Sequence, residues 1–244
     1  MNPDRKLPVL DQGFVRLESW MGGDQAVVRS ARVSYKSEAG DEERDRKLIA
    51  YLLAHEHGTP FEHAVFTFHV KLPIFVARQW IRHRMSSYNE TSLRYREAPD
   101  EFYVPERWRA QDTKDKQGSA VLGHSETMHS LYSNTLRESC EQAMHAYRFL
   151  LAQGVAREMA RMVLPVNAYT EWYWTVNARA LMHFLTLRCE SHAQWEIREY
   201  AYRLAFAMQD VMPWTFNAWA SRLEVPRYQG MFEFFRLPAL EATD

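Results

Sequence analysis

Residues 65–84, VFTFHVKLPIFVARQWIRHR, carry the strongest structural signal in the chain. Apolar and polar side chains alternate through the first eight residues, which is typical of a β-strand with one buried face. That face would carry Phe66, Phe68, Val70 and Leu72. Pro73 follows, and proline is favoured in the first turn of a helix. The stretch therefore predicts a strand that leads directly into a helix ending near Arg84.

Helix and strand patterns occupy most of the remaining chain. Residues 13–22 and 171–176 alternate like strands. Helical spacing of apolar residues is found in five further segments, namely residues 24–35, 41–58, 125–154, 155–165 and 178–188. Residues 98–123 are rich in proline, glycine and charge, and we expect a loop or lid there. Few strands and several long helices indicate a mixed α+β fold, with one domain over residues 1–244 because no segment resembles a linker.

Several helices carry recognisable end signals. Ser125 and Asn177 are of the residue types that cap helix N-termini. Ser191 with Gln194 resembles a capping box, which would open a helix to about residue 211. Gly58 is expected to end the helix that begins near residue 41.

The composition argues against several classes of protein. Thirty Lys and Arg against 31 Asp and Glu leave a net charge of −1. A protein that binds nucleic acid along its whole length without sequence specificity needs excess positive charge. No apolar run approaches the roughly 20 residues that span a bilayer, and no signal peptide is recognisable. Cys140 and Cys189 form no disulfide framework, which is typical of free thiols in a reducing compartment. We therefore expect a cytoplasmic protein that binds neither nucleic acid nor membrane.

Residues 82–97, RHRMSSYNETSLRYRE, concentrate directional hydrogen-bonding groups. The segment holds four arginines, two glutamates and four Ser or Thr hydroxyls. An extended chain after Asn89 would align one polar row, made of Glu90, Ser92, Arg94 and Arg96. Arginine suits phosphate because its planar fork donates two parallel hydrogen bonds. From this pattern alone, a binding site and a solvated, salt-bridged surface are equally favoured.

A second candidate is the arginine at the end of helix 178–188. Leu181, Phe184 and Leu185 form the apolar face of this helix, and Arg188 falls on the same line. A guanidinium aligned with core positions must be paired or must meet a charged ligand, because an unpaired buried charge is very costly. A structural salt bridge is the alternative interpretation.

Other chemistries are weakly signalled. His55, His57 and His63 do not follow a zinc-binding spacing, so we predict no metal. The chain has no Gly-x-Gly-x-x-Gly fingerprint and no Walker loop. Ser92 lies downstream of His83, but nothing in the spacing indicates a Ser–His–Asp relay. Cys189 is interpreted as a small apolar residue.

Arg82, His83 and Arg84, then seven residues, then Ser92 resemble the signature of the flavin-dependent thymidylate synthases. Further blocks resemble the family in the same order: TPFEH, FVARQWIRHR, SYNETSLRY, VLPVNAYTEWYWTVNARALMHFLTLR and SHAQWEIREYA. The likeness runs from about residue 10 to residue 220. Residues 105–123 and 224–244 are its variable parts.

The resemblance implies an α+β domain with an antiparallel sheet flanked by long helices. It implies an enzyme that converts dUMP to dTMP, with methylenetetrahydrofolate as carbon donor. FAD, reduced by NADPH, would supply the hydride. The family assembles as a homotetramer whose active sites combine residues of neighbouring subunits.

The resemblance also assigns site residues by matching motifs. FAD would contact Thr59, Arg82, His83, Arg84, Glu90, Asn177, Arg179 and His183. The nucleotide dUMP would contact Gln79, Arg82, Glu90, Ser92, Arg94, Arg161 and Arg188. Arg188 would be catalytic, because a guanidinium beside uracil stabilises negative charge on the ring. Arginine stays protonated and is a poor base. Ser92 is interpreted as a nucleotide-binding hydroxyl, and a covalent serine nucleophile is the lesser hypothesis.

Two functions of other classes remain as alternatives. A single-stranded RNA-binding module would use the arginines together with Tyr88 and Tyr95 for base stacking. A catalytically silent relative would keep the fold and lose the activity.

Overall fold

The computed structural model describes residues 5–33, 41–113 and 118–236. Its strands are β1 (Lys6–Val9), β2 (Gly13–Met21), β3 (Val65–Pro73), β4 (Ser86–Glu90), β5 (Arg109–Gln111), β6 (Ser119–Val121) and β7 (Tyr169–Asn177). Its α-helices are α1 (Asp24–Arg32), α2 (Glu42–Ala54), α3 (Ile74–Trp80), α4 (Glu126–Ala152), α5 (Arg157–Ala160), α6 (Ala178–Arg188), α7 (Trp195–Val211), α8 (Pro213–Ala220) and α9 (Val225–Arg236). Two 3-10 turns lie at Thr59–His63 and Arg161–Val163.

Five strands form one antiparallel sheet in the order β1-β2-β3-β7-β4. The central pair is β3 and β7, where Phe68 lies opposite Trp174 and Val70 opposite Trp172. Strands β5 and β6 form a separate hairpin. The predicted α+β fold with an antiparallel sheet and long helices is confirmed. No helix within the described ranges is both long and apolar enough to cross a membrane.

The alternation in β3 decides which face of the sheet is buried. Its four predicted apolar residues are at most 1% exposed, and helices α3, α6 and α7 pack on that side. The opposite face is polar, with a hydrogen bond of 3.0 Å between the hydroxyls of Thr67 and Thr175. Trp80 packs edge-on against Trp172 and Trp174 at ring distances of 5.6 and 5.1 Å. This aromatic cluster anchors the C-terminal end of α3.

A smaller apolar cluster lies beneath α4. Cys140, Met144 and Tyr147 on this helix pack with Phe102 and Ala168. The Tyr147 hydroxyl accepts a hydrogen bond of 3.1 Å from the backbone N–H of Ala98. Helix α4 thereby covers the segment that follows β4.

Two predicted caps are confirmed and one helix end differs from the prediction. The side chains of Ser125 and Asn177 accept backbone N–H groups at the starts of α4 and α6. Helix α2, however, ends at Ala54, and the left-handed residue after it is Glu56 (φ 58°). Gly58 is therefore not the residue that ends this helix.

The helix predicted to reach Arg84 ends earlier, at Trp80. The backbone carbonyls of Trp80 and His83 lie 3.2 and 2.9 Å from the Tyr88 hydroxyl. The chain must also turn here, because β4 begins at Ser86 and pairs with β7. These tertiary contacts replace the last helical turn.

The capping box predicted at Ser191 and Gln194 is wrong. Gln194 is the N-cap residue of α7, but its side chain makes no capping hydrogen bond. Instead that side chain bonds to Gln79 and to Glu196. Because these hydrogen bonds occupy the Gln194 side chain, it does not cap the helix as the motif predicts.

The region of the predicted helix 155–165 is mostly not α-helical. Only α5 is α-helical, and a 3-10 turn carries the chain to Val163. Proline at position 165 explains why this turn ends at Val163, because it disfavours helical geometry in the preceding residue, Leu164, which is extended. Residues 98–123, predicted as a loop, contain the β5–β6 hairpin within their described part.

The extended polar row predicted after Asn89 is also wrong. The backbone N–H groups of Tyr95 and Arg96 donate to the Ser92 carbonyl at 3.1 and 3.2 Å, so this segment turns. The Ser92 hydroxyl accepts from the Arg94 N–H at 3.3 Å, a local bond that favours the turn.

Candidate active site

The loop between α3 and β4 is fixed by hydrogen bonds to residues of strand β4. Ser86 donates to the His83 carbonyl at 3.0 Å, and the Tyr88 hydroxyl lies 2.9 Å from the same oxygen. Tyr88 itself packs on Trp172 and Trp174. The backbone that carries the Arg-His-Arg motif is therefore fixed by buried aromatic residues.

His83 and Arg188 meet at the centre of the site. The Arg188 Nε–H donates to His83 Nε2 at 3.0 Å, and the His83 ring lies 4.7 Å from the ring of Phe184. Burial, with smaller contributions from the charges of Arg188 and His183, lowers the pKa of His83 from 6.5 to about 4. His83 is thus neutral at pH 7, which lets its ring nitrogen accept this bond.

Arg188 is half-buried and has no carboxylate partner among the described residues. Burial lowers its pKa from the ordinary value. The apolar face of α6 is confirmed beneath it, since Leu181, Phe184 and Leu185 are fully buried. The structural salt bridge considered for Arg188 is not formed within this part of the chain.

A cleft of about 500 Å³ opens at this pair. Its polar lining comprises Arg82, His83, Arg84, Ser86, His183 and Arg188. The apolar part is formed by Met85, Trp174, Val176, Ala180 and Leu187. Such a mixture of cations and flat apolar surface suits a ligand that has both a charged group and an aromatic ring.

An adjoining cleft of about 570 Å³ shares Arg82 and Arg188 with the first. Its arginines are Arg78, Arg82, Arg109, Arg188 and Arg198, against one carboxylate, Asp112, among the described lining residues. Gln79 and Gln194 also line it. The charge of Arg109 is offset by its ion pair with buried Glu196, so the local excess of positive charge, which suits an anion, comes from the other four arginines.

Three of the four other predicted nucleotide contacts lie at a third cleft, of about 800 Å³. Glu90, Ser92 and Arg161 line it, and Thr170 donates to Glu90 at 2.5 Å. Arg94 does not line this cleft and forms an exposed ion pair of 2.9 Å with Glu158. The Arg161 Nε–H donates to the Glu158 carbonyl at 3.3 Å, which brings both arginines to one residue.

Thr59, Asn177 and Arg179 lie near the start of α6, apart from the lining of these clefts. Arg179 forms an ion pair of 2.7 Å with Glu62. A Cβ at Gly58 would lie 2.5 Å from the Arg179 Nε, so any larger residue would displace this guanidinium. Glycine at position 58 thus permits close approach, which is the role that the sequence interpretation missed.

The structure adds residues to the site that the sequence did not single out. Arg78 lines both the 570 Å³ and the 800 Å³ clefts, and Arg109 reaches the site from β5. Arg78 precedes Gln79 in the quoted motif block, so its position was a usable signal. Gln194 and Glu196 belong to the block SHAQWEIREYA, but the sequence interpretation gives Gln194 only a capping role and does not single out Glu196.

Metal and thiol chemistry find no support in the described residues. No group of three His, Cys, Asp or Glu is arranged there to hold a metal ion. Cys140 and Cys189 are both buried and unpaired as disulfides. Burial raises the pKa of the Cys189 thiol, which disfavours the thiolate that a nucleophile requires.

Comparison with known proteins agrees with the motif. A family profile described as "Thymidylate synthase complementing protein" matches residues 16–214. The flavin-dependent thymidylate synthase of Thermosipho africanus is 53% identical over 210 residues, which are 86% of this chain and 92% of the relative. That of Thermus thermophilus is 51% identical over 215 residues, covering 88% of this chain and 77% of the relative.

Solved structures show the same relationship. The UMP/dUMP methylase PolB from Streptomyces cacaoi, bound with 5-Br dUMP, superposes with a TM-score of 0.80 at 38% identity. The match covers 88% of this chain and 97% of that protein. Motif, profile, relatives and fold agree, and the chain belongs to the family of flavin-dependent thymidylate synthases.

Proposed function

We propose that this protein is an FAD-dependent thymidylate synthase. It converts dUMP to dTMP, takes the carbon from methylenetetrahydrofolate and uses NADPH as reductant. The observation that carries the proposal is the contact between Arg188 and neutral His83 where two cationic clefts join. Relatives named as flavin-dependent thymidylate synthases, and a structural neighbour bound to a dUMP analogue, support the reaction class.

The residues around His83 fit a flavin dinucleotide. The side chains of Arg82 and Arg84 make no ion pair among the described residues, so they remain available to the pyrophosphate. The Asn177 Oδ1 is used in capping α6, which leaves its amide nitrogen to donate to the cofactor. Thr59, His83, Arg179, His183 and Glu90 complete the proposed FAD contacts. When bound, reduced FAD supplies the hydride.

The proposed dUMP site combines charge with orientation. Gln79, Arg82, Ser92, Arg94, Arg161 and Arg188 bind the nucleotide, and Glu90 lies between it and the flavin. Arg188 stabilises negative charge on the uracil ring and makes its C5 more nucleophilic. His83 orients this guanidinium by accepting its Nε–H, and the guanidinium stays charged at neutral pH.

The division of these residues among clefts supports an active site shared between subunits. Gln79, Arg82 and Arg188 lie together, whereas Glu90, Ser92 and Arg161 line a different cleft. Exposed apolar side chains lie beside both groups, since Met85 lines the cleft at Arg82 and Arg188, and Met162 lines the cleft of the second group. We propose a homotetramer in which each nucleotide site takes one group from each of two neighbouring subunits. The two buried, unpaired cysteines support a cytoplasmic location.

The test is spectroscopic and chemical. Purified protein is loaded with FAD, and NADPH oxidation is followed with and without dUMP, with dTMP measured when the folate is present. A yellow protein whose NADPH oxidation rises with dUMP, and which forms dTMP, supports the proposal. A colourless protein that binds single-stranded RNA supports the RNA-binding alternative, and a protein that binds flavin without forming dTMP supports the silent relative.

A further inference from the structure

A line of hydrogen bonds runs from the cationic cleft into the protein interior. It begins at Gln79, whose amide nitrogen donates to the Oε1 of Gln194. The Gln194 amide nitrogen donates in turn to Glu196 Oε2 at 2.9 Å. Three elements that are distant in sequence, namely α3, the start of α7 and the β5–β6 hairpin, meet along this line.

The line ends at a buried charge. Glu196 is 3% exposed, and its Oε1 accepts from Arg109 Nη2 at 2.6 Å and from the Tyr103 hydroxyl at 3.2 Å. Arg109 also stacks over the Trp195 ring, 5.4 Å from its centre. The carboxylate is therefore paired and hydrogen-bonded on both oxygens, as a buried charge must be to avoid a large penalty.

The charge of Glu196 determines how the two amides are oriented. An ionised carboxylate only accepts hydrogen bonds, so Gln194 must turn its amide nitrogen towards it. The Gln194 oxygen then points to Gln79, which must present its own nitrogen in return. The Gln79 Oε1 has no hydrogen-bond partner among the described residues, and Gln79 lines the cleft.

We propose that Gln194 and Glu196 are positioning residues, which hold the Gln79 amide with its oxygen towards the ligand. The inference rests on the proposed function, in which Gln79 contacts dUMP. Gln79 then accepts a hydrogen bond from an N–H or O–H group, namely the uracil imide or a sugar hydroxyl. The arginines of the same cleft supply the donors that phosphate needs.

A purely structural network is the competing explanation. It would stabilise the fold and affect the nucleotide only through general loss of structure. The two explanations differ in one measurable respect: positioning through Gln79 makes the effects of the three residues on dUMP binding non-additive.

The experiment measures dUMP binding to FAD-loaded full-length protein by isothermal titration calorimetry. Gln194→Met keeps the side-chain length and removes the hydrogen bonds that link Gln79 to Glu196. We expect it to weaken dUMP binding about tenfold, as for loss of one hydrogen bond, with flavin content unchanged. Gln79→Ala should cause a similar loss, and the double variant should bind no more weakly than Gln79→Ala alone. Glu196→Gln should resemble Gln194→Met if it folds.

Glu199→Gln is the matched control, since Glu199 lies on α7 and pairs with Arg203, away from the clefts. It should leave dUMP binding unchanged. Additive losses in the double variant, or wild-type binding by Gln194→Met, would overturn the inference while leaving the proposed function intact. If FAD-loaded wild-type protein binds no dUMP at all, the proposed function fails and the inference falls with it.

Discussion

The two sides of the candidate site are built differently. The first, the His83 side, comprises Arg82, His83 and Arg188 and rests on the buried aromatic cluster around Trp80. The second, the Ser92 side, comprises Ser92, Arg94 and Arg161, whose two arginines form exposed bonds to Glu158 while Ser92 bonds within its own turn. Exposed ion pairs contribute about 0–1 kcal/mol. The His83 side is thus preorganised by the fold, whereas the Ser92 side gains little order from its own contacts.

The largest expected effect is on stability at the His83 side. Phe184 is fully buried and contacts both Trp80 and His83. Phe184→Ala should lower the free energy of unfolding by about 3–5 kcal/mol, because it leaves a cavity in the core. Leu93→Ala, in the turn of the Ser92 side, should cost less than about 1 kcal/mol. Denaturant unfolding measures both, and equal costs would contradict the comparison.

The next effect concerns the chemical step. Arg188→Ala should reduce dTMP formation about 10²–10³-fold, because it removes the preorganised charge that we propose faces the uracil ring. Flavin retention should fall much less. Steady-state kinetics and the flavin absorbance of the purified variant measure the two quantities, with exposed Arg222→Ala as control. Equal loss of both would indicate a mainly structural arginine.

On the Ser92 side, we expect a substitution to weaken dUMP binding while leaving the stability of the protein unchanged. Arg94→Ala removes one cation from an exposed pair and should raise the KM for dUMP about tenfold, as for loss of a charge-assisted hydrogen bond. Its melting temperature should stay close to that of wild type. The matched control is Arg137→Ala, an exposed arginine on α4. A marked loss of stability in Arg94→Ala would show that this side is also structurally fixed.

The pH dependence of stability offers a further test of the His83 side. The pKa of His83 is about 4 in the folded protein and 6.5 ordinarily, so the unfolded chain binds the extra proton first. The contribution of neutral His83 to the free energy of unfolding is therefore fully present above pH 6.5, and it is lost as the pH falls towards 4. Between about pH 7.5 and pH 5, thermal stability should therefore fall less in His83→Gln than in wild type. His145→Gln, at an exposed site on α4, should behave like wild type.

The smallest effect is expected at Ser92 itself. Ser92→Ala loses one turn hydrogen bond and the nucleotide contact that we propose for this hydroxyl, so turnover should persist with an increased KM for dUMP. Steady-state kinetics over a range of dUMP concentrations measures the change in KM. Complete loss of turnover in a folded variant would favour a covalent role for this serine.

Secondary structure and fold class could be predicted because they depend on local patterns. The alternation in β3 and the caps at Ser125 and Asn177 act over a few residues, and all three are confirmed. The sequence pattern does not predict the turn at Ser92, because hydrogen bonds to the Ser92 carbonyl compete with an extended chain. It does not predict the early end of α3 either, because that end depends on the contact between Tyr88 and the His83 carbonyl.

The sequence by itself determined the class of fold, the apolar face of α6 and the family, because periodicity and ordered motifs are properties of the linear chain. Only the tertiary structure decided which arginines share a cleft, that neutral His83 accepts from Arg188, and that Glu196 orients Gln79 through Gln194. These features depend on burial and on distances between residues that lie far apart in the chain, and linear spacing carries no information about either.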